Sequence, residues 1–277
     1  MPTVMAVSPH ADDATIFCGG TLARFAAAGW RVVLVRVTDD RYDSVGLGVE
    51  ETLARNAREL REAAAILGVA EVVELGFETD RLADTPETAI REGIVHALRR
   101  YRPHTVLSFD PGDRRDENQD HLRVAAAVAE ACWVAAFDKH CPQHLSEGLA
   151  PFAPAERWYF ARDPAEGAYA VDISEFVPRK IRAVLAHETM LRNIANQYRL
   201  QLLAAGRRLP LLDATVEGGA LEPLVEPVVR GRARAQAQAA GLPAGRLAER
   251  FRRERLDDLD ALLGGGDGGG EELPDGA

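Results

Sequence analysis

Along the first 110 residues the apolar positions switch back and forth between two periods. "TVMAVS" (3–8), "RVVLVRVT" (31–38), "AEVVELGF" (70–77) and "HTVLSFD" (104–110) are short, nearly continuous apolar runs, the pattern of strands buried on both faces. Between them, apolar residues recur at helical spacing in "ATIFCGGTLARFAAAG", which ends at Gly29, from about Val49 to Leu67, closed by Gly68, and from about Pro86 to Tyr101. Strands alternating with helices predict a Rossmann-like α/β fold: a doubly wound, mainly parallel sheet with helices on both faces, joined by right-handed crossovers.

Further along, "LRVAAAVAEACWVAAF" after residue 121 reads as another helix, and "ERWYFA" (156–161) and "AYAVDI" (168–173) read as late strands. Residues 175–206 have the spacing of one long amphipathic helix. Residues 207–245 are rich in Pro and Gly and fit a lid, an insertion or an oligomer contact equally well; a charged helix is expected over about 246–263. The glycines and acidic residues of 264–277 cannot bury enough surface to order. The expected organisation is a catalytic domain over 1–206, an extension over 207–263 packed on it, and a disordered acidic tail. Trp30, Trp133 and Trp158 are expected in the core.

Composition narrows the chemistry. A net charge of −10 without a Lys/Arg block argues against nucleic acid as a partner. No apolar run approaches the roughly 20 residues of a membrane span, and the N-terminus lacks the pattern of a signal peptide, so no membrane partner and a cytoplasmic location are expected. Cys18, Cys132 and Cys141 are an odd number with no CxxC spacing, which disfavours disulfides and a cysteine-rich zinc site. Any metal must therefore use His and carboxylates. No GxGxxG follows the first strand and no GxSxG is present, so neither a dinucleotide site nor a serine nucleophile is supported.

In a sheet of order 3-2-1-4 the ligand crevice lies outside the carboxyl ends of strands 1 and 4. The two loops concerned are "PHADDA" (9–14) and "PGDRRDENQDH" (111–121), which hold the densest cluster of potential ligands in the chain. His10, Asp13 and His121 can converge there, and two His with one Asp suit a catalytic zinc that keeps a position open for water. One zinc per chain is expected, and the same donors accept another divalent ion. Asp12 is then free to act as general base. The cation and the following helix N-terminus relieve the repulsion between the adjacent aspartates. Helix capping by Asp12 or Asp13 would account for one carboxylate but for neither His10 nor the second. Asp120 is the best candidate to hold a metal-bound imidazole in its tautomer. Asp110 and Asp113 are candidates to cap or orient, and "TDDRYD" (38–43) to border the pocket.

"SPHADDATIFCGGTLARFAAAG" and "NQDHLRVAAAV" resemble the two signature motifs of the PIG-L/LmbE-like deacetylase family, and the similarity extends over most of residues 3–190. The resemblance implies zinc-dependent removal of the N-acetyl group from an aminosugar or an aminosugar-containing small-molecule glycoside, with His10, Asp13 and His121 as ligands and Asp12 as base. An amidase of a thiol-sugar conjugate, or a sugar-binding protein without turnover, are the alternatives. It also leaves open a homo-oligomer. His187 matches a family histidine. Ala11 stands for the usual proline and Ala14 for a frequent acidic residue. Asn118 stands for the first histidine of HxDH, and Asn56 for an arginine three residues before the matched Glu59. Asparagine cannot titrate, so the proton for the departing amine must come from elsewhere, Asp12 first and His187 next.

Overall fold

The computed structural model describes residues 1–113, 115–164 and 167–255. The element order is β1 (Thr3–Ser8), α1 (Asp13–Ala27), β2 (Arg31–Thr38), α2 (Val49–Leu67), β3 (Glu71–Phe77), α3 (Glu87–Tyr101), β4 (Thr105–Phe109), α4 (Gln119–Val134), α5 (Gln143–Ser146), β5 (Glu156–Phe160), β6 (Tyr169–Asp172), α6 (Val177–Leu185), α7 (Glu188–Ala204), α8 (Pro210–Val216), α9 (Glu222–Ala239) and β7 (Ala248–Glu254). The sheet runs β3-β2-β1-β4-β5-β7-β6, with β1 to β5 parallel and β7 antiparallel to both its neighbours. This is the doubly wound α/β sheet that the alternating periods predict.

Successive side chains of a strand face opposite sides, so each central strand feeds two cores. Val4 and Ala6 of β1 pack with Leu34, Leu22, Leu60 and Ile181 on the side covered by α1, α2 and α6. Met5 and Val7 pack with Val33, Val35, Ile90, Ile94, Val124 and Val128 on the side covered by α3 and α4. The burial of all of β1 and β4 explains why neither reads as alternating.

Three expectations need correction. Residues 248–254 are a strand, not the start of a charged helix, because β7 inserts between β5 and β6 and its charges find partners there. The rest of that expected helix from residue 256, and the tail over 264–277, lie outside the described residues. The long helix over 175–206 is broken at Ala186 and His187, where α6 hands over to α7. Trp158 is buried, but Trp30 is half-buried and Trp133 is 68% exposed on the outer face of α4. The Pro- and Gly-rich stretch is mostly helical: Ala233 of α9 joins the main core, and Leu221 and Val225 pack against Val184 of α6 and Leu191 of α7.

A carboxylate ties β7 to the start of the chain. Glu249 accepts from the backbone N–H groups of Gly20 (2.9 Å) and Thr21 (2.7 Å) and from Lys180 Nζ (2.7 Å). It enters α1 next to Cys18, which leaves helical geometry, an inserted side chain and a glycine pair such as Gly19–Gly20 both being causes of such a kink. Gly20 is required there: a Cβ would lie 2.6 Å from Ile173 Cδ1. The kinked helix holds Asp12 and Asp13 at its amino end.

Candidate metal centre

The loops after β1 and β4 lie on either side of the point where strand order reverses, and they bring together residues 111 positions apart, His10 and His121. His10 Nδ1 is 3.2 Å from Asp13 Oδ2, and His121 Nε2 is 3.4 Å from Asp13 Oδ1. One donor atom from each of the three lies within 4.8 Å of the others, and all three residues are buried. A four-coordinate zinc with bonds near 2.0–2.1 Å holds its donors roughly 3.3 Å apart. The donor types and spacing therefore fit such an ion.

Each imidazole turns its other nitrogen to a carboxylate. His10 Nε2 lies 3.4 Å from Asp120 Oδ2, and His121 Nδ1 lies 2.6 Å from Asp116 Oδ2. Asp120 is fixed by the backbone N–H groups of Asp80 and Leu82. His121 also stacks on Phe109, with ring centroids 4.1 Å apart. Outer partners of this kind orient metal-binding histidines and raise their basicity.

The charges respond to one another. Burial alone would raise Asp13, but the charges of His121 and His10 hold its carboxyl well below the usual range. Burial would lower His121, yet Asp13 and the hydrogen bond to Asp116 raise it to about 9. His10, opposed by burial, is likewise raised by Asp13 and Asp120. Asp12 goes the other way: burial, then the Asp13 charge, push it well above the ordinary carboxylate value. Adjacent carboxylates with pKa values driven apart are a recurrent mark of divided acid–base roles. Asp12 occupies the cap position of α1, but its side chain makes no capping bond there; Asp13 accepts from the His10 N–H instead.

The remaining candidates have mostly structural attachments. Asn118 caps α4, its side-chain oxygen accepting from Asp120 N at 2.9 Å, which leaves only its amide N–H groups to donate elsewhere. His187 is buried and bonded to Thr15 Oγ1 (3.0 Å), and burial lowers it to about 4, so it is neutral near pH 7. Asp110 pairs with Arg252 through both oxygens, and Asp113 accepts from the backbone N–H groups of Arg115 and Arg162. Asn56 donates to the carbonyls of Asp40 and Asp43 and so pins the loop over 38–43, while Glu59 holds Thr189 at the start of α7. Asp40 and Asp43 also come within 4.8 Å of His10, so that loop borders the centre. Asp40 is committed, however, to Arg36, Thr38 and the Ala11 N–H. Sequence reasoning missed Asp116; its only signal was the acidic density of the loop, which does not say which carboxylate meets which imidazole.

The mainly parallel sheet and the buried His–Asp–His set at its switch point define a class, a Rossmann-like α/β protein with a candidate metal centre. Residues 5–132 match the model of the PIG-L family, described as GlcNAc-PI de-N-acetylase. The diacetylchitobiose deacetylase of Thermococcus kodakarensis is 32% identical over 189 residues, covering 67% of this chain and 69% of that protein. The chain belongs to the PIG-L family and is a metal-dependent N-deacetylase. A second relative, the 1D-myo-inositol 2-acetamido-2-deoxy-alpha-D-glucopyranoside deacetylase 1 of Saccharopolyspora erythraea, is 29% identical over 244 residues (71% of this chain, 80% of that one). Among solved structures, the N,N'-diacetylchitobiose deacetylase of Pyrococcus horikoshii shares the fold, with a TM-score of 0.73, 23% identity, and coverage of 91% and 84%. Among the described residues no helix is long and apolar enough to cross a membrane.

Proposed function

We propose that this protein is a zinc-dependent deacetylase that cleaves the N-acetyl group from an N-acetylglucosamine-type aminosugar or a small glycoside carrying one, with release of acetate and a free amine. The observation that carries the reading is the buried His10, Asp13 and His121 set with an uncommitted carboxylate, Asp12, as the neighbour of one donor. The named activities of the relatives support the substrate class.

In this reading His10, Asp13 and His121 hold the ion. Zinc, when bound, lowers the pKa of a water to about 7 and polarises the acyl carbonyl. Asp12 takes the proton of the attacking water and, as the amide C–N bond breaks, hands it to the departing amine. Burial and the Asp13 charge raise the Asp12 carboxyl above the ordinary carboxylate value, the direction that helps a group serving first as base and then as acid. Neither Asn118, which does not titrate, nor the neutral, buried His187 competes for the second task. Buried surroundings exclude bulk water and strengthen the electrostatic part of catalysis. The free thiols of Cys18, Cys132 and Cys141 fit a reducing, cytoplasmic setting.

The test is an acetate-release screen of zinc-loaded protein against N-acetylglucosamine, its short oligosaccharides, N-acetylglucosaminyl-inositol and N-acetylated glycosides. Acetate and amine should appear in equal amounts from at least one of them. Zinc-loaded protein that binds these sugars without releasing acetate would refute the proposal.

A further inference from the structure

We infer that Asp116 is a positioning residue that selects the one orientation of the His121 ring able to bind metal, a role resting on the His–Asp–His reading above. Phe109 stacks on the imidazole with an interplanar angle of 19°, which fixes the plane of the ring. A flat face cannot tell a ring from the same ring turned over by half a rotation about its Cβ–Cγ bond. That rotation exchanges Nδ1 with Cδ2 and Nε2 with Cε1, and it would carry Nε2 off Asp13. The 2.6 Å contact from Nδ1 to Asp116 Oδ2 breaks the tie, because only Nδ1–H can donate there.

The carboxylate is itself held from the other side. Oδ1 of Asp116 accepts from the Asn118 N–H at 3.1 Å and faces Arg162 Nε at 3.4 Å. Both oxygens are therefore acceptors, toward the ring and toward the loop. An asparagine can satisfy only one of these sides, since its NH2 must then face a donor on the other. Asp116 is 6% exposed, so water does not readily replace what it supplies. The two histidines thus have separate orienting carboxylates, Asp120 for His10 and Asp116 for His121. Each is specific to its ring.

The experiment compares Asp116→Ala, Asp116→Asn and Asp113→Asn with the wild type, reading zinc affinity by competition with a chromophoric chelator and the downfield imidazole N–H proton resonances of the zinc-loaded protein. Asp113 serves as control because it binds the backbone N–H groups of Arg115 in the same loop and of Arg162 after β5 without a bond to the ring. Both Asp116 variants should lose about 10- to 100-fold in zinc affinity. The His121 Nδ1–H resonance should vanish in Asp116→Ala, and Asp113→Asn should stay within about threefold of wild type. Wild-type zinc affinity in folded Asp116→Ala, an unchanged resonance, or an equal loss in Asp113→Asn would overturn the assignment. A wild type that binds no zinc would instead refute the metal centre itself.

Discussion

Replacing Lys180 by methionine tests the tie between β7 and the helix that carries Asp12 and Asp13. The Lys180 and Glu249 side chains are 6% and 3% exposed, so Lys180→Met removes the charge partner of a carboxylate that has almost no access to water. Two backbone donors, from Gly20 and Thr21, remain on Glu249 but carry no full charge. Breaking a buried pair from one side typically costs about 3–5 kcal/mol. The retained hydrogen bonds place Lys180→Met at the lower end, about 3 kcal/mol. Glu249→Gln should cost about as much or more, because its NH2 must face Lys180 or one of the two N–H groups. The double variant leaves no unpaired charge and should cost at least about 2 kcal/mol less than the sum of the singles. Urea unfolding of the four proteins at pH 7 gives all three numbers. Single variants costing under about 1 kcal/mol, or costs that simply add, would refute the claim that this ion pair secures α1.

His187 should impose a pH dependence on stability. Its folded pKa of about 4 lies below the ordinary value, so the unfolded chain binds its proton more readily and stability falls as pH drops from about 6.5 toward 4. From pH 7 to pH 5 that loss is about 2 kcal/mol, and it should be missing from the same urea measurement on His187→Gln; an equal slope in variant and wild type would contradict the buried, neutral ring. Asn118→Ala removes the cap of α4 and should cost about 0.5–2 kcal/mol in stability. Turnover should fall modestly while the shape of its pH profile persists; loss of the alkaline limb would show that Asn118 governs proton delivery.

Where apolar period and turn chemistry agree, as from β1 to β4, the elements were legible: β1, β2 and β4 are buried on both faces and read as nearly uniform apolar runs, and β3 keeps enough of that pattern although it is a half-buried edge strand. β7 was not legible. "AERFRRE" carries five charges in seven residues, and it is a strand only because Glu249 meets Lys180, Arg252 meets Asp110 and Arg253 meets Glu156 across the fold. No local pattern records those partners. The break at His187 was hidden for a similar reason, as helical spacing continues through it while the ring turns inward to Thr15. At the site, the switch-point rule needs only strand order, so His10, Asp13 and His121 could be paired from the sequence. Sorting Asp116 from Asp120 could not be done that way. It depends on which way each imidazole faces, and for His121 that is decided by Phe109 against the ring face and by Asp13 and Asp116 at its two nitrogens.

The division of labour between the adjacent aspartates is tested most directly by measuring bound zinc and acetate release in Asp12→Asn. The variant should keep one zinc per chain, because the three donors are intact, and lose on the order of 10² to 10⁴ in rate with the positioned base. Near-normal turnover with zinc retained, or loss of zinc along with activity, would contradict the assignment of Asp12 as base and Asp13 as ligand.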